Sequence, residues 1–370
     1  MHRKISYQAE GSPPNKGERS LMLRSQTRRV FCRNSLALSA GITSFGASTV
    51  SRAATIDPDW DIYKKQFLLP DGRIVDNGNN NVSHSEGQGY GLFFASTFND
   101  RDAFASILSW TKDNLAHKDG NLHSWRWMPA APHVTDTNNA SDGDLMIAWA
   151  LRRAAMLWGR EDYAEQAQAI VQELGRKCVR KIGSRLVLLP GARGFDRPKG
   201  VTVNLSYYNM PALIRAARLD PAGPWNSLID GGQQLVQSSR FGLWGLPPDW
   251  LMIDRKSERL TPASGFPPRF SYDAIRIPLY LKWGNRMPAT LSQALYAVSQ
   301  NYTMSGLPGW IDVKTGERSN YNAPPGFRAV YQFALNGPDA LPKLPSVKES
   351  GDYYSASLTL QARIAAMEMV

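Results

Sequence analysis

Two neighbouring stretches of helical periodicity in the middle of the chain constrain its fold more than any other feature. The first places apolar residues on one face at Ile147, Leu151, Ala154, Ala155 and Trp158. The second does so at Tyr163, Ala167, Ile170, Val171, Leu174 and Cys178. Only Gly159-Arg160-Glu161 lies between them, and so short a connection makes two helices antiparallel neighbours. The chain is therefore predicted to be built from helix pairs.

The same periodicity recurs over most of the chain after residue 55. Further helical segments are predicted at about 208–219, 225–237, 273–283, 288–300 and 355–367, with Gly/Pro-rich loops between them. Strands are scarce, and the best candidates are Arg185 to Leu189 and Val201 to Leu205. No motif recurs at a fixed period, and no linker divides residues 55–370. With 42% apolar residues to form a core, this stretch is predicted to be one all-α domain.

The net charge of +11 first suggests a nucleic-acid partner, but the charge is unevenly distributed. Residues 1–54 hold nine basic residues against two acidic ones, so seven of the eleven net positive charges lie there. The rest of the chain is close to balanced and has no basic face of the kind that binds phosphates. We therefore expect no nucleic-acid partner.

The basic segment, residues 1–54, has the plan of an export signal. Thr27-Arg28-Arg29-Val30-Phe31-Cys32-Arg33 precedes a moderately apolar stretch from Leu36 to Val50, and small residues follow at Ser51, Ala53 and Ala54. Paired arginines followed by an aromatic residue resemble a twin-arginine signal. The apolar stretch is too short and too polar for a permanent membrane helix. The alternative is a basic tail without a fixed fold.

An export signal predicts a periplasmic or secreted protein with no stable membrane insertion. The mature chain would begin near Ala54 or Thr55, and translation would start at Met1 or Met22. Of the two cysteines, Cys32 would leave with the signal, so Cys178 would remain without a disulfide partner. A lone cysteine is compatible with folding in the reducing cytoplasm before export.

The first group of chemically interesting residues surrounds Glu86, in Ser83-His84-Ser85-Glu86-Gly87-Gln88-Gly89-Tyr90-Gly91. This segment directly precedes an apolar run that begins at Leu92. A carboxyl group at the mouth of a buried helix is partly desolvated, which raises its pKa towards that of a working general acid. The alternative is a helix start capped by Ser83 or Ser85, with Glu86 facing the helix dipole.

Two further carboxylate clusters also lie where a loop meets a helix. In Ser141-Asp142-Gly143-Asp144 the serine could cap a helix whose first turn holds both aspartates. In Tyr272-Asp273-Ala274-Ile275-Arg276 the arginine lies three residues after the carboxylate, hence on the same face of a helical turn. Pro278, six positions into that predicted helix, indicates a break or a shortened helix.

Together the three clusters offer an acid and candidate bases, which is what hydrolysis of a glycosidic bond requires. One carboxyl group protonates the leaving oxygen, and another activates water on the opposite face of the sugar. This chemistry needs no metal or cofactor. The five histidines show no ligand spacing, and His84 is expected to be a hydrogen-bonding neighbour of the acid.

These clusters resemble the signatures of glycoside hydrolase family 8. The matching motifs are Ser85-Glu86-Gly87-Gln88-Gly89-Tyr90, Ala140-Ser141-Asp142-Gly143-Asp144 and Tyr272-Asp273-Ala274-Ile275-Arg276. Arg152 departs from the pattern, at a position expected on the helix exterior. Further motifs are similar to the family's cellulases that accompany bacterial cellulose synthase: Asp71-Gly72-Arg73-Ile74-Val75-Asp76, Leu122-His123-Ser124-Trp125-Arg126-Trp127 and Asn204-Leu205-Ser206-Tyr207-Tyr208. The resemblance covers residues 58 to 365.

The resemblance implies an (α/α)6 toroid with an open substrate cleft and a few short strands in loops. It implies that Glu86 is the general acid and Asp273 the general base. Asp142 would bind the sugar at the cleavage subsite, and Arg276 would orient the base. Tyr207 would position the attacking water, with Tyr208 as a substitute.

The family inverts the anomeric centre, so the acid and base carboxyl groups are expected to lie about 6.5–9.5 Å apart. Trp125, Trp127 and Trp149 could stack on glucose rings; Trp125 is the preferred platform, whereas Trp149 is expected in the core.

The resulting prediction is an endo-1,4-β-D-glucanase (cellulase) that acts on β-1,4-glucan chains, trims cellulose during its synthesis, and has the cellulose synthase complex as a partner. Alternatives are another β-1,4-glycanase acting on xylan, chitosan or mixed-linkage glucan, or a non-catalytic β-glucan-binding subunit. A polysaccharide lyase would need a Tyr/His or Tyr/Arg pair, and the acidic cluster would repel its uronate substrate.

Overall fold

The helical periodicity of the sequence corresponds to helices in the computed structural model, which describes residues 58–369. Within this range there are eleven α-helices: α1 Pro58–Phe67, α2 Ser85–Thr97, α3 Arg101–Leu115, α4 Ser141–Trp158, α5 Glu161–Cys178, α6 Met210–Leu219, α7 Trp225–Ser238, α8 Arg276–Trp283, α9 Ala289–Tyr302, α10 Pro325–Asn336 and α11 Tyr353–Glu368. Three 3-10 helices accompany them: η1 Leu205–Tyr207, η2 Gly337–Lys343 and η3 Val347–Glu349.

The pair that the sequence places in the middle of the chain is α4 and α5. Gly159 ends α4 in the left-handed conformation (φ 66°), which glycine adopts without strain, and its N–H bonds to the carbonyl of Ala155. Helix α5 begins at Glu161 and packs against α4. The predicted neighbouring pair is confirmed.

The helices form two layers. Helices α2, α4, α6, α8, α10 and α11 pack one against the next, and α2, α4 and α11 are buried on nearly every side. Helices α3, α5, α7 and α9 bury one face each against these inner helices, while α1, η2 and η3 pack around α10 and α11. This arrangement is the predicted (α/α)6 barrel, an all-α fold, and the core lies between its layers.

Short strands occupy the loops. They are β1 Ser83–His84, β2 Arg126–Trp127, β3 Val179–Ile182, β4 Arg185–Leu188, β5 Asp196–Arg197, β6 Gly200–Val203, β7 Leu251–Asp254, β8 Leu260–Pro262, β9 Arg269–Phe270 and β10 Ile311–Asp312. Strands β5-β6-β7-β8 make an antiparallel four-stranded sheet, and the others pair as β1-β2, β3-β4 and β9-β10. Both strand candidates from the sequence are present, as β4 and β6.

Two helix boundaries differ from the prediction because of proline. The sequence analysis expects Gly/Pro-rich loops between its helical segments, and by this criterion Pro324 to Gly326 would be a loop, but Pro325 opens α10, where its missing N–H has no helical partner in any case. Helix α8 begins at Arg276 instead of Asp273, so Pro278 lies in its first turn and breaks nothing. Asp273 consequently lies in the turn that precedes α8.

Residues 58–369 belong to one compact unit. The predicted export signal, residues 1–54, lies outside them. In the described part of the chain no helix has the length and apolarity to cross a membrane, and no cluster of histidine, cysteine and acidic residues could hold a metal ion. Cys178 is a buried free thiol.

Candidate active site

The three carboxylate clusters meet at the guanidinium group of Arg276, which is 3% exposed. Its Nη1 donates hydrogen bonds to Glu86 Oε2 and to Asp142 Oδ2, the latter at 3.1 Å. Its Nη2 donates to Asp273 Oδ1 at 2.6 Å. The i,i+3 pair predicted from the sequence is confirmed, and the same arginine also binds carboxylates 190 and 134 residues away.

The carboxylates gather here because the N-terminal ends of three inner helices converge. Glu86 and Asp142 lie in the first turns of α2 and α4, and Arg276 is the first residue of α8. The positive end of a helix dipole favours negative charge. The barrel therefore presents its carboxylates at one end.

The start of α2 is capped by a histidine. His84 Nδ1 accepts the N–H of Gly87 at 2.9 Å. The alternative that Ser83 or Ser85 caps this helix is therefore wrong: Ser83 Oγ instead donates to a carbonyl in the preceding loop, and Ser85 lies inside the helix. His84, two residues before Glu86 in the chain, thus bonds to the backbone of Gly87 and to the Asp76 carboxylate, and it fixes the turn that carries Glu86.

Gly143 allows the starts of α2 and α4 to touch. A Cβ at this position would lie 2.3 Å from Ser85 Oγ and 2.7 Å from the backbone nitrogen of Glu86. Any larger residue would push the two carboxylate-bearing turns apart. The glycine between Asp142 and Asp144 therefore sets the spacing of the site.

On the other side of Gly143, Asp144 anchors the loop that carries Trp125. Asp144 is fully buried and accepts hydrogen bonds from the backbone and ring of His123 and from the Asn139 amide. Ser141, a possible cap on the sequence alone, lies one residue inside α4; it donates to the carbonyl of Leu189 and does not cap the helix.

The carboxylates of the site are shielded from water and outnumber its cations, and burial above all raises the pKa values of Asp142 and Asp273. Burial, and then the charge of Glu86, raises the pKa of Asp142 to about 8, although Arg276 opposes the shift. Burial also raises the pKa of Asp273, against the opposing effect of Arg276 and the nearby Asn204 amide. Near neutral pH, Asp142 is therefore protonated and hydrogen-bonded to Glu86. Asp142 and Glu86 therefore share one proton, and Glu86 is the predicted general acid.

This shift makes a prediction about stability. The pKa of Asp142 rises from 3.8 to about 8 on folding, so folding is progressively penalised as the pH rises through that interval. Asp142→Asn removes the penalty, and its amide can still donate to Glu86. We expect its melting temperature to exceed that of wild type by several degrees at pH 8 and to match it at pH 4. The exposed Asp230→Asn is the control, and an equal shift at both pH values would contradict the assignment.

Of the two adjacent tyrosines, Tyr207 faces the carboxylates. The Arg276 guanidinium lies 5.7 Å from its ring centroid. Burial, followed by the charges of Asp142 and Asp273, holds the pKa of Tyr207 well above its ordinary value, so its hydroxyl stays protonated. The Tyr208 hydroxyl, in contrast, accepts the N–H of Leu188 at 2.9 Å within the core.

The three tryptophans considered as stacking platforms differ in the exposure of their rings. Trp125 is 37% exposed, its Nε1 donates to Asp136, and its carbonyl accepts the N–H of Ser85 beside the acid. The ring of Trp127 is already stacked on a histidine, at 4.6 Å between centroids. Trp149 is buried in the core, as expected. Trp125 is therefore an exposed ring on a loop whose backbone is bonded to the start of α2, the helix that carries Glu86.

The sequence reasoning assigned no individual role to several residues of the site, although two of them, Tyr272 and Asn204, lie within the motifs. Tyr272 and Tyr321, 46% and 41% exposed, have hydroxyl groups 3.5 Å apart next to the turn that carries Asp273. Asn204 is fully buried beside Asp273, and Asp249 binds the backbone of the same turn. The only signal for Asp249 is its position at the end of a Pro-rich loop.

Taken together, an (α/α)6 barrel with three carboxylates bridged by one arginine, and with exposed aromatic rings beside them, defines a glycoside hydrolase. Residues 37–367 match the family model of glycosyl hydrolases family 8. The chain belongs to this family. The match is longer than the stretch 58–365 that the motifs alone indicate, and it begins inside the predicted export segment.

Relatives of known name support the same assignment. The chain is 44% identical over 328 residues to a probable endoglucanase of Novacetimonas hansenii, covering 88% of this chain and 95% of the relative. The structure of endo-β-1,4-glucanase CMCax from Acetobacter xylinum superimposes with a TM-score of 0.80 at 45% identity, over 84% of this chain and 97% of that one. The endoglucanase Cel10 of Klebsiella pneumoniae gives 0.80 at 39% identity, over 85% and 100%.

Proposed function

We propose that this chain is an endo-1,4-β-D-glucanase that hydrolyses internal bonds of cellulose with inversion, with Glu86 as the general acid and Asp273 as the general base. The observation that carries the proposal is the bridge of Arg276 between these two carboxylates. Relatives named endoglucanase at 44% and 45% identity support the choice of a β-1,4-glucan as substrate.

The bridge limits the separation of the acid and the base. Each carboxylate binds a different terminal nitrogen of one planar guanidinium, so their nearest oxygens lie at most about 8 Å apart. This upper limit overlaps the lower end of the separation of about 6.5–9.5 Å that inverting enzymes use, and the inverting course is proposed from the resemblance to the family.

The acid half of the reaction begins with the proton held by Asp142 and Glu86. Glu86 donates it to the glycosidic oxygen as the bond to the anomeric carbon breaks. Asp142, 5% exposed and bound by Arg276, then lies where a hydroxyl of the distorted sugar can bind. Positioned proton donation of this kind contributes about 10²–10⁴-fold to the rate.

The base half takes place on the opposite face of the sugar. Asp273 accepts a proton from water as the water attacks the anomeric carbon, and Arg276 holds the carboxylate in place. The protonated hydroxyl of Tyr207 orients that water. Because the attack is direct, a β-linked substrate yields an α-anomer.

The test is to follow hydrolysis of cellopentaose by proton NMR during the first minutes, before mutarotation equilibrates the products. The α-anomer is expected to appear first. A β-anomer appearing first would contradict Asp273 as the base of a direct displacement. A wild-type protein that binds β-1,4-glucans without cleaving them would establish the binding-subunit alternative, and a preference for xylan, chitosan or mixed-linkage glucan would reassign the substrate.

We further propose that the enzyme is exported through residues 1–54, which lie outside the described structure, to the periplasm or the medium. There it would trim cellulose chains as they are made, next to the cellulose synthase complex. The twin-arginine-like order of residues 27–54 and the similarity of the motifs to cellulases of cellulose-producing systems support this role.

A further inference from the structure

The turn that carries Asp273 is held by a carboxylate from a distant loop. Asp249 Oδ1 accepts the N–H of Ser271 at 3.0 Å and the N–H of Ala274 at 2.8 Å. These two amides lie on either side of Asp273 in the chain. The N–H of Asp249 itself donates to the carbonyl of Arg269 at 2.7 Å, which ties the loop to the strand before the turn.

The turn depends on this contact because it precedes helix α8. The N–H groups of Ile275 and Arg276 bond to the carbonyls of Ser271 and Asp273, which begins the helical pattern. The N–H groups of Ser271 and Ala274 come too early for helical partners and need another acceptor. Asp249 supplies it from 22 and 25 residues away in sequence.

We propose that Asp249 is a positioning residue for the general base, fixing the backbone on both sides of Asp273 so that its carboxylate points at the attacking water. This inference rests on the proposed function. Asp249 acts through Asp273, and the Arg276 bridge fixes the same carboxylate from its other end. The base is thus held at both its backbone and its side chain.

The charge of Asp249 fits this role. Burial, and then the negative charge of Asp273, raises the pKa of Asp249 to about 7, while the hydrogen bonds from the turn oppose the shift. Below that pH the group accepts both N–H groups as a neutral carboxyl and adds no second negative charge next to the base. Asparagine has the same acceptor oxygen without the charge, so Asp249→Asn is the matched conservative variant.

The experiment measures kcat and KM on cellopentaose for Asp249→Ala, Asp249→Asn and wild type at pH 6. We expect the alanine variant to lose on the order of tenfold to a hundredfold in kcat at an unchanged KM, because a small misplacement of a reacting group costs that much. The asparagine variant should retain most of the activity. If the alanine variant does not fold, Asp249→Glu replaces it, since the longer side chain shifts the turn and should lower kcat in the same way.

A double variant distinguishes positioning from general structural support. Asp273→Asn/Asp249→Ala should be no slower than Asp273→Asn alone, because a positioning residue has nothing to act on once the base is gone. Additive losses, or wild-type kcat in the folded alanine variant, would overturn this inference while leaving the proposed function intact. An inactive wild type on every β-1,4-glycan would overturn both.

Discussion

Replacing Glu86 by glutamine is expected to lower kcat/KM on cellopentaose by about a hundredfold or more. Glutamine keeps the shape of the side chain and can still accept a hydrogen bond from Arg276, but it has no acidic proton to give to the leaving oxygen. The loss should depend on the leaving group. With a dinitrophenyl β-cellobioside, whose phenolate departs without protonation, Glu86→Gln should retain most of its activity.

The matched control is Asp273→Asn, which removes the base and not the acid. Because water must be activated whatever group departs, this variant should lose activity on both substrates. Kinetics on the two substrates therefore assign the two roles independently. A Glu86→Gln enzyme equally impaired on both would show that Glu86 does not protonate the leaving group.

The fold was predictable because each long helix carries its own apolar face. The pair α4 and α5 was predicted because both its periodicity and its short connection are local features of the sequence. Helix α10 was missed because Pro325, judged from the residues around it, favours a loop. A proline is tolerated in the first turn of a helix, but the local sequence does not show that the helix begins at this residue. Of the sheet β5-β6-β7-β8 only β6 was predicted, since the other short strands are defined by pairing with residues distant in the sequence.

The site shows the same division between local and distant contacts. The motifs indicated Glu86, Asp142 and Asp273, and the spacing of Arg276 indicated its pair with Asp273. No pattern in one sequence shows that this arginine also binds the other two carboxylates. The role of Asp249 is harder still to predict from the sequence, because its partners are backbone N–H groups, which every residue type except proline provides.

Replacing Arg276 by methionine is expected to have the largest effect on stability. Glu86, Asp142 and Asp273 would lose the one cation they share, and removing one partner of a buried ion network costs about 3–5 kcal/mol. The cost should depend on pH. Without the arginine, which lowers them, the folded-state pKa values of Asp142 and Asp273 rise further, so stability falls as the pH rises above the unfolded pKa value of about 4.

The measurement is the melting temperature of Arg276→Met and wild type at pH 4 and pH 7.5. The deficit of the variant should be large at pH 7.5 and much smaller at pH 4, where the carboxyl groups of the unfolded chain are about half protonated and little of the pH-dependent penalty has developed. Arg286→Met, which breaks the exposed pair with Asp230, should change little at either pH. An equal deficit at both pH values would mean that Arg276 acts by packing alone. Activity should be lost at both, because even a folded variant has no guanidinium group to hold the Asp273 carboxylate opposite Glu86.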